Sequence, residues 1–121
     1  MWQVMQHLCF PVLQLRHMSC TEQRLYTDNI LYIESRKHKA VFFCLESKLI
    51  NLTIYDKLDH IEKKLEGHGF LRIHKSYLVN MKHIQRISNY KAELDVGGEL
   101  SVPRRRYQAV KEAFVAYKGA L

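Results

Sequence analysis

The sequence contains only three cysteines, and they form no Cys-x-x-Cys pair. An odd number of widely spaced cysteines argues against a disulfide framework, and no Cys/His spacing matches a zinc site. We therefore expect Cys9, Cys20 and Cys44 to be reduced thiols of a cytosolic protein. At least two of them should be buried as small apolar residues.

Long apolar runs and a basic N-terminus are also missing. The longest apolar runs are far shorter than the stretch of about 18 residues that crosses a bilayer. Residues 1–14 contain no Lys or Arg, so the basic start of a secretory signal is absent. These features predict a cytoplasmic protein without a membrane span.

Residue patterns typical of catalysis are weak. The seven histidines form neither His-x-His nor His-x-x-x-His, and the acidic residues are scattered without a paired site. Ser76 and His74 share a strand face but have no orienting acid. The glycines at 67, 69, 97 and 98 lack the helix and lysine of a phosphate-binding loop. We predict that the chain is not an enzyme and has no catalytic, metal or cofactor site.

The composition indicates one globular domain with a basic surface. The chain has 121 residues, 47% hydrophobic and 26% charged, with a formal net charge of +7. This size supports a single core, and the charge favours encounters with polyanions such as nucleic acid. We assign residues 16–121 to the domain and residues 1–15 to a lead-in or linker, in which Pro11 argues against one continuous helix.

Short apolar and β-branched runs between turn residues predict a mainly β fold. The expected strands cover residues 12–18, 30–34, 40–45, 49–52, 70–73, 77–79, 83–90, 91–96 and 99–102. A mid-chain helix over residues 53–65 is predicted from its apolar stripe, with Thr53 as the cap and Asp56 near the positive end of the helix dipole. A C-terminal helix should begin at Pro103 and bury Tyr107, Val110, Phe114 and Tyr117.

Basic residues recur in three clusters beside turns, at residues 36–39, 72–75 and 104–106. A single cluster is typical of a solvated loop, but three on a basic chain favour a nucleic-acid surface. His74 and Lys75 can reach phosphate or a base edge, and Arg104 can bind guanine through two hydrogen bonds. The alternative for His74 is a core histidine bound to backbone. Arg72 should pair with Glu34 or another acid.

Three segments of the chain resemble the LytTR-type DNA-binding domain of bacterial response regulators and related transcription factors. They are Asp28-Asn-Ile-Leu-Tyr-Ile-Glu-Ser35, Gly69-Phe-Leu-Arg-Ile-His-Lys-Ser-Tyr-Leu-Val-Asn80 and Leu100-Ser-Val-Pro-Arg-Arg-Arg106. The resemblance implies about ten mostly antiparallel strands in three sheets. It also implies that loops, not a recognition helix, bind duplex DNA in successive major grooves. We expect Ser76 and Asn80, within the second segment, to be structural.

The resemblance also implies where DNA contacts lie. Loop 36–39 should contact DNA through His38 or Lys39, and Lys75 stands where relatives often carry Asn. Arg104 corresponds to the family arginine near the last strand. With the residues expected to bind phosphate, the predicted DNA-binding set is Arg36, Lys37, His38, Lys39, His74, Lys75, Lys82, Arg104, Arg105 and Arg106.

The predicted function is a sequence-specific, double-stranded DNA-binding transcription regulator. It would act alone or as the output domain of a two-component response regulator, with a receiver domain in cis, and bind promoter DNA as a homodimer on repeated half-sites. One alternative is a single-stranded RNA-binding module that stacks bases on aromatic residues, although we expect these to be buried: Phe42, Phe43, Tyr77 and Tyr90. The other is a protein-interaction domain with an acidic partner.

Overall fold

The computed structural model describes residues 12–16 and 22–120, with side chains from residue 25 onward. Most of the predicted lead-in, the end of the first predicted strand, Cys9 and Cys20 lie outside the described residues. Within them the chain forms three sheets, two α-helices and two short 3-10 helices at Thr27–Asn29 and Met81–His83. The strands are β1 (Val12–Arg16), β2 (Glu22–Tyr26), β3 (Ile30–Arg36), β4 (Lys39–Leu45), β5 (Leu49–Ile54), β6 (Phe70–His74), β7 (Tyr77–Asn80), β8 (Ile84–Ser88), β9 (Lys91–Leu94) and β10 (Glu99–Ser101). The helices are α1 (Leu58–Lys64) and α2 (Arg104–Gly119). The predicted mainly β fold is confirmed.

The central sheet has five antiparallel strands in the order β5-β4-β3-β7-β6. Strand β3 pairs with β4 across a two-residue tip, in which Lys37 adopts a positive φ of 55°. It also pairs with β7, which a second short turn joins to β6. The other sheets are the hairpin β1-β2 and the three-stranded β10-β9-β8.

Two apolar clusters form the core on opposite sides of the central sheet. One lies under α1 and contains Ile33, Phe42 and Leu78 with the helix residues Leu58 and Ile61. The other joins β8, β9 and β10 to α2. Cys44 is buried in the first cluster as a thiol, and burial, helped by Glu46, raises its pKa to about 12.

The mid-chain helix begins later than its apolar stripe predicts. Residues 53 and 54 continue β5, where Thr53 pairs with Val41 and Ile54 with Ala40. The helix starts at Leu58, and Lys57 precedes it without a side-chain cap. The prediction of Thr53 as the cap is therefore wrong. Ile54 is buried in the same cluster as Leu58 although it belongs to the strand. The apolar stripe therefore could not mark where β5 ends and the helix begins.

The C-terminal helix follows Pro103 as predicted. Val110 and Phe114 are buried in the second cluster, whereas Tyr107 and Tyr117 are half-buried. The ring of Tyr117 lies against Gly69, where a Cβ atom would stand 3.4 Å from Tyr117 Cε1, and Gly69 has a φ of +82°. Both features favour glycine at the position where β6 begins.

Strand β8 ends at Ser88 because a turn separates it from β9, and β9 ends at Leu94 because residues 95–98 form the next turn. Asn89 and Tyr90 form this two-residue connection between the paired residues Ser88 and Lys91. Their φ values of 53° and 60° are those of a hairpin turn whose two central residues are left-handed. Tyr90 is 43% exposed, so the expectation that it is buried in a strand is wrong.

Candidate nucleic-acid interface

The tips of the β3-β4 and β6-β7 hairpins lie side by side at one end of the central sheet. Strand β3 ends there, next to the start of β7, since Glu34 pairs with Tyr77. The Ser35 N–H donates a hydrogen bond of 2.8 Å to the Ser76 carbonyl oxygen. The basic segments 36–39 and 74–76, about 40 residues apart in sequence, are therefore neighbours.

Within the first tip the four basic residues differ in how they are held. The Arg36 guanidinium donates to Glu34 Oε1 from Nε at 3.1 Å and Nη2 at 2.9 Å. Lys39 Nζ lies 5.5 Å from the ring centre of Tyr55. Lys37 and His38 are exposed at the turn itself and form no ion pair within the described part of the chain. The tip thus presents cationic and hydrogen-bonding groups to solvent.

Arg72 fixes the backbone of the second tip. Its Nε donates to the His74 carbonyl at 3.0 Å, and its Nη2 donates to the Lys75 carbonyl. Its Nη1 lies 2.8 Å from both Asp59 Oδ1 and Glu62 Oε1, on α1. The prediction that Arg72 pairs with an acid is confirmed, although Glu34 is not its partner. The guanidinium ties the turn to the helix, and its hydrogen bond to Asp59, followed by its charge, lowers the pKa of the Asp59 carboxyl.

His74 is half-buried and hydrogen-bonded to backbone, as the structural alternative predicts. Its Nδ1 accepts a bond of 3.0 Å from the Ser76 N–H, so the neutral ring carries its proton on Nε2 and keeps that N–H as a donor. Burial lowers the pKa of the imidazole, and the charges of Lys75, Arg106 and Arg72 lower it further. The ring is therefore predominantly neutral near pH 7 and can donate a hydrogen bond without being charged.

The start of α2 brings the third basic cluster to the same region. Helix α2 packs against β6, and Arg106 is close enough to His74 to depress its pKa. The guanidinium carbon of Arg104 lies 5.4 Å from the ring centre of Tyr90. Arg105 is exposed. We call the combined region, made of residues 36–39, 74–76 and 104–106, the basic end of the domain.

Lys82 is not part of the basic end. It follows β7 at the end opposite the hairpin tip, beyond a strand about 13 Å long. Its Nζ pairs with Asp28 Oδ2 at 3.0 Å. The fold therefore brings the predicted DNA-binding residues together, with the exception of Lys82. A DNA contact by Lys82 stays a prediction.

Asn80 was expected to satisfy local backbone groups at a turn, but only one of its three hydrogen bonds is local and the other two reach distant residues. The side chain is 3% exposed, and its Nδ2 donates to the carbonyl oxygens of Thr27 at 3.1 Å and Ile30 at 2.9 Å. Its Oδ1 accepts from the Lys82 N–H at 3.1 Å. The two bonds from Nδ2 join the end of β7 to the segment that leads into β3.

Tyr90, named above as a candidate for base stacking, lies in this region in a role that the sequence did not predict. It lies beside Arg104 and packs against Tyr107 with the two rings tilted and their centres 4.5 Å apart. The dipeptide Asn89-Tyr90 between two short strands was a usable signal, because Asn readily occupies the first position of such a turn. The other proposed stacking residues are Phe42, fully buried, and Phe43 and Tyr77, half-buried.

No helix among the described residues is long and apolar enough to cross a membrane. In the same part of the chain, no group of three or more His, Cys, Asp or Glu side chains is arranged to hold a metal ion.

The family model described as LytTr DNA-binding domain matches residues 23–115, most of the chain. This match defines the class of the protein as a DNA-binding domain of transcription regulators, which is not an enzyme class. The chain therefore belongs to the LytTr DNA-binding domain family.

Two similar proteins agree with this assignment. The "Sensory transduction protein LytR" of Staphylococcus saprophyticus is 35% identical over 77 residues, which cover 57% of this chain and 28% of that protein. The LytTr DNA-binding domain of a Bacillus cereus protein described as a DNA response regulator superposes with a TM-score of 0.67 at 21% identity. The superposition covers 86% of this chain and 95% of that one, and it confirms the fold. The chain spans just over a quarter of the length of the LytR relative.

Proposed function

We propose that the protein is a sequence-specific transcription regulator that binds double-stranded DNA through its basic end. The observation that carries the proposal is the convergence of three basic clusters. Residues 36–39, 74–76 and 104–106 are distant in sequence, yet the Ser35–Ser76 hydrogen bond joins the first two clusters and the packing of α2 on β6 brings the third near them. A surface with several cationic groups in one region supports binding to the phosphates of a duplex.

The residues of the basic end divide into two roles in this proposal. Arg36, Lys37, Lys75, Arg105 and Arg106 neutralise phosphates. Base edges are read by Arg104, by Lys75 and by His38 or Lys39. Lysine makes a less directional base contact than asparagine or arginine, so specificity rests mainly on Arg104 and the 36–39 tip. The neutral His74 donates a hydrogen bond from Nε2.

A salt titration followed by fluorescence anisotropy tests the electrostatic part. If about five phosphates are contacted, log affinity falls with log salt at a slope of about −4.5. A slope near zero would refute DNA binding by this surface. A single-stranded RNA of equal length should compete poorly, because Phe42 is fully buried and the stacking surface that RNA needs is small.

Substitution of Arg104 tests the base-reading part. We expect Arg104→Ala to weaken binding to a duplex selected from a random pool by about 1–3 kcal/mol and to change binding to random duplex little. Arg105→Ala is the matched control, because a phosphate contact is lost equally on both duplexes. Equal losses for Arg104→Ala on both duplexes would make Arg104 a phosphate contact and remove its role in specificity.

We further propose that the protein binds repeated half-sites as a homodimer, acting in the cytoplasm alone or as the output domain of a longer response regulator. The LytR relative supports the second arrangement, because this chain spans 28% of its length. Two half-sites about 10.5 base pairs apart should bind cooperatively. Adding about 5 base pairs puts them on opposite faces of the duplex and should abolish the cooperativity.

A further inference from the structure

The β8-β9 turn is held against the first residues of α2. The Val102 N–H donates a hydrogen bond of 2.9 Å to the Tyr90 carbonyl oxygen, directly before Pro103 and Arg104. Tyr90 has a left-handed backbone, with φ at 60°, which bulky residues rarely adopt. Such backbone conformations cluster at ligand-binding sites. The turn thus places an aromatic side chain at the edge of the basic end.

Tyr90 belongs to a series of alternating cations and rings. The Arg104 guanidinium carbon lies 5.4 Å from the Tyr90 ring centre, and the Tyr90 and Tyr107 rings are 4.5 Å apart at 45°. Lys111 Nζ lies 5.7 Å from the Tyr107 ring centre on the next turn of α2. Tyr107 itself packs against the second core cluster. The ring that contacts Arg104 is therefore supported from the core.

Arg104 lies beside an aromatic ring without a carboxylate partner, whereas Arg36, which lies 5.8 Å from the Phe43 ring centre, is also paired with Glu34. Carboxylates bind Arg36, Arg72 and Arg86, each at 2.8–2.9 Å. Within residues 25–120, no carboxylate lies in ion-pair range of Arg104. An aromatic face restrains a guanidinium without neutralising its charge or occupying its N–H donors.

We propose that Tyr90 is a positioning residue for Arg104 in DNA recognition, an inference that rests on the proposed function. The Tyr90 ring restrains the guanidinium and leaves its N–H groups available before DNA arrives. Restraining a long side chain in advance reduces the entropy lost on binding. Tyr90 thereby contributes to affinity for the specific sequence through Arg104.

The test uses two substitutions of Tyr90 in the full chain. Tyr90→Asn removes the ring and retains a residue that tolerates the left-handed backbone, so the turn should be preserved. We expect it to weaken binding to the selected duplex about three- to fivefold. Tyr90→Phe keeps the ring and should bind within about twofold of the unmodified protein. Thermal unfolding should show that both variants remain folded at the assay temperature.

Combination with Arg104→Ala separates positioning from a structural role. In the Arg104→Ala background, Tyr90→Asn should have no further effect on affinity, because the side chain it positions is gone. The same three- to fivefold loss in both backgrounds, or no loss in either, would overturn the positioning role. If Arg104→Ala weakens binding and Tyr90→Asn does not, the inference fails and the proposed function stands. If Arg104→Ala has no effect, the proposed base contact and the inference fail together.

Discussion

Replacing Arg72 with lysine tests whether the guanidinium holds the β6-β7 tip in place. The substitution keeps the positive charge but removes the planar set of donors that reaches four oxygens. Two of those oxygens are the carbonyls of His74 and Lys75, in the turn that presents Lys75. The Arg72 side chain is 18% exposed, so water does not readily replace these bonds.

The expected loss of stability follows from the two carbonyl bonds. A hydrogen bond from a charged donor contributes about 1.5 kcal/mol, and lysine cannot satisfy both carbonyls, so the free energy of unfolding should fall by about 2–3 kcal/mol. With a urea dependence near 1.5 kcal/mol per molar, the unfolding midpoint shifts by roughly 1.3–2 M. The exposed Asp59 carboxylate adds little, because water screens it.

Arg86→Lys is the matched control. Arg86 also donates two hydrogen bonds, both to Glu93 Oε2, but its side chain is 67% exposed. This variant should lose less than about 1 kcal/mol. DNA affinity should fall for Arg72→Lys and not for Arg86→Lys, although neither changes the net charge. Equal stability losses for the two variants would refute the view that Arg72 anchors the tip.

Two other predictions follow from the contacts around this sheet. Asn80→Asp places a buried carboxylate against the carbonyls of Thr27 and Ile30. The free energy of unfolding, measured by urea titration, should fall by about 3–5 kcal/mol. Asn51→Asp, at an exposed position, is the control, and similar losses for the two variants would contradict the role of Asn80. The pKa of His74 is lower in the folded than in the unfolded chain. The neutral imidazole therefore stabilises the fold above the unfolded pKa, near 6.5, and this stabilisation is lost as pH falls through the folded pKa. His74→Asn, which keeps an acceptor for Ser76, should therefore show a smaller loss of stability between pH 7.5 and 5, and identical pH profiles would disprove this.

The sequence was sufficient for most of the strands because their apolar runs are short and separated by turn residues. It was also sufficient for Asn80, whose position after a strand indicated a structural amide. The predicted start of α1 was wrong because Ile54 can be buried in the core from a strand as well as from a helix. Tyr90 was placed in a strand because two left-handed residues in a row are not expected of an Asn-Tyr pair without glycine.

The sequence alone determined that the protein is basic, mainly β and similar to a DNA-binding family, because charge, strand periodicity and consecutive motif residues are local properties. The tertiary structure decided which basic residues act together. Strand pairing brought tip 36–39 beside residues 74–76, and packing of α2 on β6 added residues 104–106. Lys82 lies at the far end of β7, and the β8-β9 turn with its hydrogen bond to Val102 places Tyr90 beside Arg104. Such neighbours depend on register and on contacts between distant segments, which no local pattern specifies.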